Sequence, residues 1–207
     1  MPALWMSGIR KQFGRRDLWA PLDLTVEAGE RVALLGANGS GKSTLLRIAA
    51  TVSPATAGAV VVAGLDAKRN PEQARGKLSH LPQDAPCYAE LTPHEHLRWW
   101  SRVQGVTVDP DAALVEAGLA TMAHKPTSSL SRGQRQRLAL AMALAPDRPL
   151  LILDEPFAAL DADGVNALER QLTGRGSAML IALHDEAQAR RIAHRVLRLD
   201  AAGVRPT

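Results

Sequence analysis

A glycine-rich loop between an apolar strand and a helical stretch constrains this chain more than any other feature. The segment "RVALLG" ends at Gly36, the loop "GANGSGKST" covers residues 36–44, and "KSTLLRIAATV" continues with helical spacing of its apolar residues. The loop fits the pattern G-x-x-x-x-G-K-[ST], in which backbone N–H groups and a helix N-terminus enclose phosphates. The pattern predicts an α/β domain with a phosphate site between a strand and a helix.

The residue types of the loop each suit that chemistry. The glycines let backbone N–H groups approach phosphate oxygens, Lys42 supplies a charge to the β- and γ-phosphates, and the Ser43 hydroxyl is a ligand for Mg²⁺. The alternative is an ordinary glycine-rich turn, which the strand and helix on either side disfavour. The candidate phosphate-binding residues are Gly36, Ala37, Asn38, Gly39, Ser40, Gly41, Lys42, Ser43 and Thr44.

A second apolar strand, "PLLILDEP", ends in two carboxylates. We predict that Asp154 holds Mg²⁺ through water and that Glu155 orients or deprotonates an attacking water. Guanine-specific proteins with such loops commonly carry an N-K-x-D element. None of the three asparagines, Asn38, Asn70 and Asn166, is followed by lysine, so ATP is the expected nucleotide.

The order of the segments predicts one domain with an insertion. The 207 residues, 46% of them hydrophobic, suffice for an α/β core with a small subdomain. Capping residues Thr92, Pro93 and Glu95 open a helix that ends at Gly105, and "DPDAALVEAGL" repeats the pattern. We therefore predict a RecA-like P-loop NTPase core sheet with an N-terminal antiparallel β subdomain over 1–83 and 146–207, and an inserted helical subdomain over 84–145.

Composition excludes several classes of protein. One cysteine, Cys87, rules out a disulfide framework, and a net charge of +4 is too small to indicate nucleic-acid binding. The start "MPALWMSGIRKQFGRR" has no apolar core of a signal peptide, and no apolar run approaches 18 residues. We expect a chain that reaches a membrane only through partners.

The stretch "LSRGQRQR", residues 130–137, predicts a second helix N-terminus that suits an anion. Ser131 and Gln134 have the S-x-x-Q spacing of a capping box, which opens a helix and leaves N–H groups and a positive dipole at its start. One nucleotide does not need two such sites from one chain. The second site therefore indicates a second nucleotide.

Taken together, the motifs resemble the nucleotide-binding subunits of ABC transporters. "LSRGQ" resembles that family's signature, usually L-S-G-G-Q, with Arg132 in place of the first glycine, a change that a side chain facing away from phosphate would tolerate. The resemblance spans almost the whole chain and rests on residues in the family's order: Phe13, Gly36–Thr44, Gln83, Leu130–Gln134, Asp154–Glu155, Asp161 and His184.

The resemblance implies roles for these residues. Phe13 would stack on adenine, although an isolated aromatic residue near a turn is often only packing, and Gln83 and His184 would sense Mg²⁺ and the γ-phosphate. Two such domains would close head to tail around two MgATP, so that the signature and D-loop of one meet the nucleotide of the other. The residues implied there are Ser131, Gly133, Gln134 and Asp161, and the implied metal ligands are Ser43, Gln83 and Asp154.

The same resemblance implies a homodimer with transmembrane permease subunits at the cytoplasmic face of the inner membrane. Two other classes stay open: a soluble ABC ATPase that acts on ribosomes, DNA or iron–sulfur assembly, and a nucleotide switch, which the presence of Glu155 and His184 disfavours. Within transporters, "LDEPFAALDADGV" resembles the ATP-binding subunit of the cytochrome c maturation haem exporter. A generic drug or lipid exporter is the alternative.

Three residues in the inserted segment invite a metal interpretation. Cys87, His94 and His96 match no zinc spacing, and the two histidines should lie on different sides of a helix, so no metal site is predicted. Trp99 and Trp100 should pack inside the subdomain or face a membrane partner.

Overall fold

The computed structural model describes residues 1–85 and 87–207. In this part of the chain the strands are β1 (Leu4–Arg10), β2 (Gln12–Phe13), β3 (Arg16–Asp17), β4 (Leu22–Val26), β5 (Arg31–Leu35), β6 (Ala57–Val62), β7 (Leu65–Asp66), β8 (Leu78–Leu81), β9 (Leu150–Asp154), β10 (Ala178–Ala182), β11 (Arg195–Asp200) and β12 (Gly203–Pro206). The α-helices are α1 (Lys42–Ala49), α2 (Pro71–Arg75), α3 (Pro93–Gln104), α4 (Pro110–Glu116), α5 (Arg132–Leu144), α6 (Ala162–Thr173) and α7 (Glu186–Ile192). None of these helices combines the length and the apolar character needed to cross a bilayer.

The chain divides into two compact units, and the first contains the sheets. It comprises Met1–Gln83, Arg148–Glu155 and Leu172–Thr207. A six-stranded sheet runs in the order β12-β11-β5-β10-β9-β8, and all its neighbours are parallel except β11 and β12. A four-stranded antiparallel sheet runs β4-β1-β6-β7. The predicted core sheet and N-terminal antiparallel β subdomain are confirmed.

Apolar runs explain why the central strands lie where they do. Every residue of β9 and β10 is buried, as expected for parallel strands that are covered on both faces. Leu45, Leu46 and Ile48 of α1 pack into the same core as Ile152 and Leu180. The order β5-β10-β9-β8 places the carboxyl ends of four parallel strands side by side.

The second unit is helical and comprises Asp84–Asp147 and Pro156–Gln171. The predicted helix signals are confirmed, because Thr92 and Glu95 form a capping box at the start of α3 and Gly105 ends it at φ 61°. The core of the unit includes Leu97, Leu114, Leu119, Leu130 and Leu138. The structure groups residues 156–171 with these helices, whereas the prediction placed them with the ATP-binding core; the functional division of the chain stays a prediction.

Candidate functional site

A cavity of about 470 Å³ lies in the first unit. The loop before α1 follows β5, Glu155 follows β9 and His184 lies two residues after β10, so neighbouring parallel strands direct them to one edge of the sheet. The cavity brings together eleven of the predicted residues and one unpredicted leucine: Phe13, Leu18, Ala37, Asn38, Gly39, Gly41, Lys42, Ser43, Thr44, Gln83, Glu155 and His184.

Two positions of the loop have no room for a side chain. Gly41 has φ +97°, and a Cβ added there would lie 2.2 Å from Cζ3 of Trp19. A Cβ at Gly36 would lie 2.7 Å from the carbonyl oxygen of Leu199. A side chain at either position would force the backbone to move, so both glycines let the loop close against the core.

Lys42 is held inside the loop by the protein itself. Its side chain is buried, and Nζ donates to the carbonyl oxygen of Gly36 at 2.7 Å. Burial lowers the pKa of Lys42, while the nearby carboxylates of Glu155 and Asp154 raise it. The ammonium is thus an inward-facing cation whose carbonyl partner a phosphate oxygen can replace.

Asp154 and Ser43 form a group suited to a hard cation. Asp154 is buried, and its Oδ1 has no hydrogen-bond partner among residues 1–85 and 87–207. Burial raises the pKa of Asp154, whereas a hydrogen bond with the Ser43 side chain lowers it. A buried carboxylate oxygen without a donor, next to a hydroxyl, fits the oxygen ligands that Mg²⁺ prefers.

Glu155 and His184 form a close pair beside this group. Glu155 Oε1 and His184 Nε2 are 2.5 Å apart. The backbone of Glu155 has φ +50°, in the left-handed region that costs a residue with a Cβ about 1–2 kcal/mol. This strained turn directs the carboxylate into the cavity, where it can accept a proton from water.

Phe13 lies at the cavity on the short hairpin of β2 and β3, and it is 60% exposed. Leu18, just after this hairpin, also lines the cavity but was not predicted. Its apolar character in the turn-rich stretch "RRDLWAP" was the available signal, and it did not distinguish a ligand contact from ordinary packing.

The predicted residues of the signature lie in the second unit, at the start of α5. Ser131 Oγ accepts from the N–H of Gln134 at 3.2 Å, and Gln134 Oε1 accepts from the N–H of Ser131 at 2.9 Å. The predicted capping box is confirmed. Its two side chains satisfy each other's backbone donors without a ligand.

Gly133 and Asp161 both lie next to a turn at Ala159, whose backbone has a positive φ. A Cβ at Gly133 would lie 2.8 Å from the carbonyl oxygen of Ala159, which itself has φ +60°. Asp161 Oδ1 accepts from Arg137 at 2.7 Å and from the N–H of Gly164 at 2.9 Å. The backbone donor of Gly164 and then Arg137 lower the pKa of Asp161. Arg137 could not be predicted from the sequence, because its partner lies 24 residues away.

His96, one of the three residues considered as metal ligands, has other partners. The N–H of Tyr88 donates to His96 Nε2 at 2.8 Å, and His96 Nδ1 lies 3.1 Å from the carbonyl oxygen of Thr92. Both ring nitrogens are therefore engaged by the backbone. Trp100 Nε1 donates to the carbonyl oxygen of Met142 at 2.9 Å, while Trp99 stays 39% exposed.

Similarity to known proteins shows which family this chain belongs to. A family model described as ABC transporter matches residues 19–158. The chain belongs to this family. It is an ABC ATPase domain, and the family implies nucleotide binding.

The ABC relatives differ in what they transport. The chain is 38% identical to the cytochrome c biogenesis ATP-binding export protein CcmA of Nitrobacter winogradskyi (strain ATCC 25391 / DSM 10237 / CIP 104748 / NCIMB 11846 / Nb-255), over 86% of this chain and 90% of that protein. It is 37% identical to the sulfate/thiosulfate import ATP-binding protein CysA of Bordetella parapertussis (strain 12822 / ATCC BAA-587 / NCTC 13253), over 94% of this chain. The chain spans 58% of the length of that CysA protein.

The fold agrees with a solved ABC structure. The structure described as an ATP binding subunit of an ABC transporter superposes with a TM-score of 0.90 at 25% identity, covering 99% of this chain and 90% of that one. The predicted ABC family resemblance and α/β fold class are confirmed. The roles of the individual site residues stay predictions.

Proposed function

We propose that this chain hydrolyses ATP as the nucleotide-binding subunit of a membrane transporter. The observation that carries the proposal is the cavity of the first unit, which gathers the phosphate loop, Phe13, Gln83 and the Glu155–His184 pair. A switch protein needs the loop alone, whereas the paired carboxylate and imidazole are groups that can handle a proton.

Different residues of this chain bind the phosphates of ATP and activate the attacking water. The backbone N–H groups of the loop and the start of α1 bind the phosphates, and Lys42 exchanges its carbonyl partner for phosphate oxygen. Glu155 holds the attacking water and accepts its proton, while His184 keeps the carboxylate oriented. Gln83, two residues after β8, lines the same cavity, where it would sense the γ-phosphate.

Mg²⁺ would be held by the Ser43 hydroxyl and by Asp154 through water, with Gln83 completing the set. When bound, it neutralises phosphate charge during transfer. The buried Oδ1 of Asp154, which has no donor within the described residues, supports this assignment.

We further propose that two copies of the chain close head to tail, with Ser131, Gly133, Gln134 and Asp161 of one copy completing the ATP site of the other. The motion is passed to separate permease subunits through the helical unit. The chain then lies at the cytoplasmic face of the inner membrane, held by those partners and without nucleic acid. The family, the helix start at Ser131 and the resemblance to transporter subunits support this arrangement.

The proposed cargo is haem or a related component exported for cytochrome c maturation. The support is the stretch of residues 153–165 together with 38% identity to a CcmA protein. The similarity to a CysA import protein, at 37% identity, makes an importer the competing outcome. Purification of the chain from detergent-solubilised native membranes should bring cytochrome c maturation membrane subunits with it. Recovery of an unrelated permease would overturn the cargo and leave the ATPase chemistry intact.

Glu155→Gln tests the chemistry in that purified complex. The amide cannot accept a proton, so turnover should fall at least about 100-fold while ATP affinity stays within about threefold. Glu72→Gln, at an exposed glutamate of α2, is the matched control and should turn over ATP at the wild-type rate. Turnover of the Glu155 variant within about tenfold of wild type would refute the assignment of Glu155 as the base.

A further inference from the structure

Lys11 occupies a fixed position over the ring of Phe13. Its Nζ lies 5.4 Å from the ring centroid, within the range of a cation–π contact. The same Nζ donates to the carbonyl oxygen of Pro54 at 2.8 Å and contacts Ser53 Oγ at 3.4 Å. These two partners hold the ammonium in place, so the contact does not depend on a freely rotating side chain.

The ring is anchored to the same part of the chain. Phe13 belongs to β2, which pairs with Arg16–Asp17 of β3. The N–H of Gln12 donates to Thr56 Oγ1 at 3.0 Å. Residues 53–56 therefore position both the ammonium and the strand that carries the ring.

The ammonium occupies only one face of the ring. Phe13 is 60% exposed and forms part of the cavity wall, so ring surface that Lys11 does not cover is open to a ligand. A cation over one face of an aromatic ring draws π electron density toward itself and leaves the other face less negative. That face then suits the electron-rich π system of a purine.

We propose that Lys11 is a positioning residue for the nucleotide base, which fixes the Phe13 ring and strengthens its stacking on adenine. The inference rests on the proposed function, since it requires a nucleotide in the cavity that Phe13 lines. Lys11 is not among the residues that line the cavity, whereas Phe13 is, so Lys11 acts through the ring. Its contribution should therefore appear for ligands that carry a base and disappear for ligands that do not.

The test compares ATP with inorganic tripolyphosphate, which has the phosphates and no base, on the purified full chain. Lys11→Met should weaken ATP binding about three- to tenfold, the scale of a cation–π contact added to base stacking. Tripolyphosphate affinity should stay within about twofold. Lys11→Arg, which keeps the cation, should restore ATP affinity, and Lys77→Met, at an exposed lysine of the same unit, should change neither ligand.

A double-mutant cycle separates this role from a structural one. In a Phe13→Leu background, Lys11→Met should cost no further ATP affinity, because the ring through which Lys11 acts is gone. Equal loss for ATP and tripolyphosphate, or an undiminished loss in the Phe13→Leu background, would overturn the inference. If the wild type binds neither ligand, the proposed function fails; if it binds both and Lys11→Met matches it, only the role of Lys11 fails.

Discussion

The starts of α1 and α5 were both predicted to receive phosphate, but the chain builds them differently. The N-cap of α1 is Gly41, and no side chain caps the helix. The N-cap of α5 is Ser131, whose hydroxyl forms a reciprocal capping box with Gln134. The first start offers its backbone donors to a ligand, whereas the second satisfies part of its own need with protein groups.

The same contrast extends to the buried polar atoms of the two units. In the first, Ser40 Oγ, His80 Nε2 and Asp154 Oδ1 are buried without a hydrogen-bond partner in the described chain. In the second, His96 and Trp100 donate to or accept from backbone groups. Because an unpaired buried polar atom costs free energy, the Asp154 oxygen, whose carboxylate bonds to Ser43 of the cavity wall, is a group that a bound ligand can satisfy. In the second unit the Ser131 and Gln134 side chains already satisfy each other's backbone donors, so the start of α5 presents a preformed surface.

The largest expected effect tests whether that preformed surface serves a second copy. Ser131→Arg places a long cation at the start of α5, so ATP turnover of the purified complex should fall at least about 100-fold. ATP binding by the isolated chain should stay within about threefold, because the cavity of the first unit is unchanged. Steady-state turnover and equilibrium titration measure the two quantities.

Ser128→Arg is the control, since it adds the same side chain at an exposed serine three residues earlier. Wild-type turnover from Ser131→Arg would contradict the shared site. Equal loss of ATP binding and turnover would show instead that the two helix starts act within one chain.

Features that depend on residues close together in the sequence could be predicted. The capping boxes at Thr92 and Ser131 depend on residues three positions apart, so the spacing alone predicted them. The phosphate loop and the acidic end of β9 were predictable for the same reason. Such signals cover the elements and most of the candidate site.

Features that depend on distant residues could not be predicted. Lys11 meets Pro54, 43 positions away, and Arg137 meets Asp161, 24 positions away. The group that a side chain at Gly133 would meet is a carbonyl oxygen of Ala159, which the signature motif does not contain. Periodicity and spacing carry no information about such pairs, because the fold alone brings them together.

Alanine substitutions of glycines at the two helix starts should lower the free energy of unfolding by different amounts. Gly41→Ala combines a positive φ with a Cβ 2.2 Å from Trp19, so it should lower the free energy of unfolding by about 2–3 kcal/mol. At Gly133 the clash is with a carbonyl oxygen, but the backbone is helical and alanine favours a helix, so the loss should be about 1 kcal/mol. Urea unfolding measures both.

Gly39→Ala separates strain from crowding in the same experiment. Gly39 has φ +78°, and a Cβ there would meet no atom within 4 Å, so only the backbone cost of about 1 kcal/mol applies. A Gly41→Ala variant no less stable than Gly39→Ala would show that Trp19 moves freely and that the loop is not held by the core.

Two histidines with largely buried rings, one in each unit, differ in how strongly the fold lowers their pKa. Burial, and then the charge of Arg47, lowers the pKa of His80 from 6.5 to about 4. Burial also lowers the pKa of His96, but hydrogen bonding to Thr92 and the charge of Glu95 oppose the shift. His80 in the first unit is thus the histidine whose protonation the fold resists most plainly.

The smallest expected effect follows from the sign of that shift. Since the folded pKa of His80 lies below the unfolded value, the unfolded chain takes up the proton first, and stability is lost as pH falls from about 6.5 toward 4. Between about pH 7.5 and 5.5 the loss from this group should be about 1 kcal/mol. His80→Leu should remove that part of the slope of unfolding free energy against pH, whereas His124→Leu, at an exposed histidine of the second unit, should leave it. An unchanged slope in the His80 variant would mean that the folded first unit accommodates the charge of a protonated His80.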